Sequence, residues 1–103
     1  MSKCKVTVLK RMFNREVVDE YLADDCKGGY GPCDRVRDGQ EFVVEKADVM
    51  PEGFCAWAWA DIQRDVFAVM FGADISWIKG GNKAIASCTD GLRPVIFKIE
   101  RMS

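Results

Sequence analysis

The dipeptide Asp90-Gly91 constrains this chain more than any other feature, because it stands between two stretches that read as strands. Lys83-Ala84-Ile85-Ala86-Ser87 lies before it and Val95-Ile96-Phe97-Lys98-Ile99-Glu100 after it. Asp-Gly supplies the positive φ angles that a two-residue hairpin turn requires, so the pattern predicts a β-hairpin at this end, with Thr89 and Leu92 paired directly across the turn. The connecting segment Cys88-Thr89-Asp90-Gly91-Leu92-Arg93-Pro94 also holds a thiol, a carboxylate and a guanidinium within seven residues. It is therefore the first place to look for chemistry.

The rest of the chain divides by periodicity. Cys4, Val6 and Val8 alternate with Lys5 and Thr7, which predicts a first strand over about Lys3 to Arg11. Asn14 can cap a short helix carrying Val17, Val18, Tyr21 and Leu22, with Glu16 favouring its positive end and Phe13 able to staple onto Val18. A loop containing Gly28, Gly29, Gly31 and Pro32 follows, and residues 40–45 form a strand short enough for a sheet edge. From about Ala56 to Phe71 the apolar positions Trp59, Ile62, Val66, Val69 and Met70 recur every three or four residues, which predicts the main helix, ended by Gly72.

The order strand, helix, strand, helix, strand, strand predicts an α+β fold: one domain over residues 1–103, with a mixed or antiparallel sheet of about four strands. Two helices would cover one face. Trp59, Ile62, Val66 and Met70 are expected to pack on Val6, Val8, Val95, Phe97 and Ile99, leaving Ile96 on the opposite face beside Lys98 and Glu100. With 103 residues, 49% of them hydrophobic, such a chain can bury a core without disulfides or metal.

Charge and composition narrow the partners. Fifteen basic against sixteen acidic residues leave a formal net charge of -1, which creates no field for a phosphate backbone, so nucleic acid is not an expected partner. No apolar stretch approaches the ~20 residues of a membrane span, and a cytoplasmic location without membrane association is expected. Five cysteines in that compartment are expected to be reduced, and an odd number leaves one unpaired in any case. The chain has no histidine, which removes the commonest general base and the commonest metal ligand.

Gly31-Pro32-Cys33, Gly39-Gln40-Glu41-Phe42, Pro51-Glu52-Gly53-Phe54-Cys55, Trp57-Ala58-Trp59 with Asp61-Ile62, and Cys88-Thr89-Asp90-Gly91-Leu92-Arg93-Pro94-Val95 together resemble a small family of bacterial and archaeal proteins with no established activity. The likeness spans nearly the whole chain and implies kinship without a mechanism. Cys33, Cys55 and Cys88 fall inside the family-like motifs, whereas Cys4 and Cys26 do not. Two positions depart from the pattern: the family commonly has an acidic residue where this chain has Ala56, and a second cysteine where it has Ser87.

Two functional readings follow. The first is a non-catalytic domain that self-associates as a homo-oligomer and binds a small molecule or a protein, with Trp57, Asp90 and Arg93 as candidate ligand-binding residues. Arg93 can present its fork to a carboxylate or phosphate, or pair with a neighbouring acid. Asp90 suits a turn for its own geometric reasons. Trp57 points away from the stripe that carries Trp59 and could stack on a ligand or a subunit. The second is a thiol protein using Cys33, Cys55 and Cys88 for metal binding or redox work. Zinc and iron-sulfur sites usually show closely spaced cysteine pairs, whereas here Cys26, Cys33, Cys55 and Cys88 are separated by 7, 22 and 33 positions, which favours thiols packed as small apolar groups. The glycine-rich loop matches neither phosphate-binding pattern.

Overall fold

The computed structural model describes residues 2–102 as an α+β fold built on one four-stranded antiparallel sheet. The elements are β1 (Lys3–Arg11), α1 (Arg15–Tyr21), a 3-10 turn (Asp24–Cys26), β2 (Glu41–Val44), α2 (Ala56–Met70), β3 (Lys83–Ser87) and β4 (Val95–Met102). Strand order is β2-β1-β4-β3, so the first and last strands pair at the centre and β2, as its length suggests, lies at an edge. A register shift between Val8 and Lys10 turns Leu9 outward.

Alternation decides which face is covered. Val6 stands between Phe42 and Ile99, and Ala84 pairs with Ile99, so these side chains share one face. α2 lies across it, with Ile62, Val66 and Val69 fully buried among Val6, Val8, Val44 and Ile99. The expected stripe is therefore the core seam. Trp59 is only half-buried at its margin, where it meets Phe54 edge-on, and Phe54 in turn contacts Phe42 and Phe97. On the other face Ile96 lies beside Lys98 and Glu100 as anticipated, and Lys5 pairs with Glu41 at 3.6 Å.

α2 alone makes the helical layer on the sheet. α1 follows the end of β1 and, among the described residues, packs on no strand; the molecule extends 48 Å along its longest axis. Asn14 does precede α1, yet its side chain caps nothing there. Its amide instead donates to the Gly91 carbonyl at 2.6 Å, and Phe13 lies 5.9 Å from the ring of Tyr30.

The terminal hairpin exists, but its turn is not the two-residue one that Asp-Gly predicts. Strand pairing between β3 and β4 stops at Ser87 and Ile96, with one further bond from the Cys88 amide to the Val95 carbonyl, so residues 89–94 form an open loop. Gly91 is not in the positive-φ region. The reason is competition for backbone partners. The Met12 amide donates to Pro94 and the Asn14 amide to Leu92, which extends the β1–β4 ladder through residues 92–94. Across the opening, Thr89 is drawn to α2, where Asp61 accepts its amide at 2.8 Å and its hydroxyl at 3.0 Å. Thr89 and Leu92 are thus committed to different elements and do not pair.

Candidate functional site

The splayed loop forms one wall of a cavity of about 360 Å³. The first turn of α2 provides a second wall with Cys55, Trp57 and Ala58, and the segment after the glycine-rich loop a third with Cys33, Arg35 and Val36. Val95 and Phe97 close the floor, and Cys88, Asp90 and Arg93 line the side that the loop contributes. All six residues singled out from the sequence, Cys33, Cys55, Trp57, Cys88, Asp90 and Arg93, therefore border the same cavity.

Each wall has a physical anchor. Arg11, on the core-facing side of β1, donates from Nη1 to the Cys33 carbonyl at 2.9 Å and from Nε to Asp38 at 3.1 Å, tying the long connection between α1 and β2 to the sheet. Arg93 ties the same connection to the opposite loop. Its Nη1 donates to the Gly31 carbonyl at 3.2 Å, and its guanidinium carbon lies 4.5 Å from the Tyr30 ring centroid, within cation–π range. Asp90 closes an Asx turn, its Oδ1 accepting from the Leu92 amide at 3.0 Å and more weakly from Arg93 at 3.4 Å. Asp90 thus shapes the loop and Arg93 pins it.

Asp90 and Arg93 form only a loose ion pair, 3.9 Å between Oδ2 and Nε, beyond hydrogen-bond distance. Arg93 Nε is buried and has no hydrogen-bond partner. Burial of an unbonded donor costs free energy, so the guanidinium is held by stacking and by Gly31 while part of its donor capacity stays unused.

The thiols divide as the motifs suggested. Cys4 is buried beneath α2 and Cys26 is exposed, whereas Cys33, Cys55 and Cys88 are half-buried round the cavity. Cys88 Sγ accepts the Val95 amide at 3.2 Å, which fixes its side chain at the mouth of the hairpin. All five are free. Among the described residues no three Cys, Asp or Glu side chains are placed to hold a common metal ion, so the three thiols border one space without forming a three-ligand centre. Burial pushes the Cys4 thiol above its ordinary pKa, an effect that Arg101 partly offsets.

Trp57 does point away from the core stripe and stands 74% exposed at the cavity rim. Sequence reasoning missed Asp61, Thr89, Arg11 and Tyr30. Asp61 had a usable signal: it lies four positions after Trp57, so on a helix both share one edge of α2. Arg11, Tyr30 and Gly31 gave none, because their partners are 22 to 63 positions away in the chain. No family model, curated protein or solved structure matches the chain. The site therefore stands on its geometry.

Proposed function

We propose that this chain is a non-catalytic binding domain whose site for a small molecule is the cavity between α2 and the 88–94 loop. One observation carries the reading: side chains with chemical or stacking capacity, drawn from three separate parts of the chain, border a single space of about 360 Å³. That volume is in the range of small-ligand sites, and its walls combine apolar groups with a few convergent polar ones. The test uses Gly91, which borders the cavity, has no positive φ, and has open space where a Cβ would stand. Gly91→Trp should fill the space without straining the backbone. Compounds that raise the melting temperature of the wild-type protein should lose that effect in Gly91→Trp, and compounds that act equally on both would place binding elsewhere.

Self-association as a homo-oligomer belongs to the same reading. Val43 and Ile85 on the uncovered sheet face are 44% and 45% exposed, and the exposed rings of Phe67 and Phe71 contact each other at a tilt, centroids 4.7 Å apart. Light scattering after size exclusion tests it, and a strict monomer at working concentration would remove this part. No helix is long and apolar enough to cross a membrane among the described residues, and five unbridged thiols suit a reducing, cytoplasmic compartment.

The convergence of Cys33, Cys55 and Cys88 on the cavity supports a second reading, thiol chemistry within it. Elemental analysis of anaerobically purified protein, with thiol counting, separates the two: stoichiometric metal lost on Cys55→Ser or Cys88→Ser supports the second, and five free thiols without metal leave the first.

A further inference from the structure

Resting on the binding reading, we infer that the cavity takes a small organic anion, with an anionic oxygen group at Arg93 and a flat apolar body beneath Trp57.

Charge is the first argument. The charged side chains of the lining are Arg35 and Arg93 against Asp90, a surplus of one positive charge in a chain whose formal net charge is -1. Asp90 is also the less available partner for a cation, because its Oδ1 already accepts two loop amides.

The state of Arg93 is the second. Nη1 is used on Gly31 and one face of the guanidinium is covered by Tyr30, which holds the group without neutralising it. Its carboxylate neighbour stands 3.9 Å away, and among the described residues Nη1 alone donates a hydrogen bond from this guanidinium. A guanidinium fixed by stacking, with donors to spare, is prepared to bind an oxyanion, and hydrogen bonds between charged partners are about twice as strong as neutral ones. Nε itself is buried, so the ligand would meet the Nη2 side and draw on Nε only if Asp90 shifted.

Shape is the third. Ala58, Val36, Val95 and Phe97 give the floor and walls an apolar character, and the exposed indole of Trp57 stands over the rim. An inorganic anion would leave this surface unused. A flat apolar body bearing one anionic group would satisfy both halves, burying hydrocarbon against the floor while the anion meets Arg93.

The test is calorimetric titration of the wild-type protein with 2-naphthoate and its uncharged isostere 2-naphthamide. The inference expects the carboxylate to bind about tenfold or more tightly than the amide, a preference lost in Arg93→Gln and reduced in Arg35→Gln, with both probes excluded by Gly91→Trp. Arg35 is exposed, so its variant keeps the comparison available if Arg93→Gln does not fold. Equal binding of both probes, blocked by Gly91→Trp, would overturn the anion preference while leaving the cavity reading standing. A carboxylate preference untouched by Gly91→Trp and Arg93→Gln would overturn the assignment to this site. No saturable binding of either probe up to millimolar concentration would overturn both.

Discussion

Replacing Asp61 with alanine tests the account of why the hairpin opens. The carboxylate lies on α2 and accepts two hydrogen bonds from Thr89, one from the amide at 2.8 Å and one from the hydroxyl at 3.0 Å. A hydrogen bond to a charged group contributes about 1.5–3 kcal/mol where it is sheltered from water. Here Thr89 is exposed and Asp61 only half-buried, so both groups can turn to solvent when the contact is lost, and roughly 1–2 kcal/mol in total is the expected loss. Urea unfolding measures that total. A second assay locates it: hydrogen exchange at the Thr89 amide should accelerate far more than at Phe97 or Ile99, because the loop opens locally before the sheet does. Thr89→Val, which keeps the amide bond and loses the hydroxyl, should cost about half as much, and its effect should largely vanish in an Asp61→Ala background. The reasoning is refuted if Asp61→Ala unfolds at the wild-type urea concentration and exchange at Thr89 is unchanged. In that case the β1 extension through Leu92 and Pro94 holds the loop open by itself.

Other expectations follow from packing, backbone geometry and ionisation. Ile62 is fully buried at the centre of the seam, so Ile62→Ala should cost about 2–5 kcal/mol in the same unfolding assay. Gly72 ends α2 with φ at 101°, and although nothing crowds its Cβ position, Gly72→Ala should lower stability by about 1 kcal/mol or more through strain. Gly91→Ala should be nearly neutral, within about 0.5 kcal/mol, because its φ is not positive; a loss above about 1.5 kcal/mol would point to the tight turn that Asp-Gly favours in isolation. The raised pKa of Cys4 has a defined sign. The unfolded thiol ionises before the folded one, so stability should fall as pH rises past the ordinary thiol pKa of about 8.5, and Cys4→Val should flatten that alkaline decline.

Periodicity along the chain already specifies the elements and the faces they bury. Period two in Cys4-Val6-Val8 and in Val95-Phe97-Ile99, and the three-and-four spacing of Ile62, Val66 and Val69, translate directly into the buried side of each element, because backbone geometry alone sets which residues point together. The sequence also separated Cys33, Cys55 and Cys88 from Cys4 and Cys26, and marked Trp57, Asp90 and Arg93. How those residues meet depends on contacts between distant parts of the chain. Asp-Gly has a local preference for a two-residue turn. That preference yields when the Asn14 backbone amide, 78 positions away, takes the Leu92 carbonyl and Asp61, 28 positions away, takes the Thr89 amide. No local window contains those competitors. The same long-range bonds that defeat the turn draw Thr89 to α2 and Leu92 to the extension of β1, and the splayed loop between them forms one wall of the cavity.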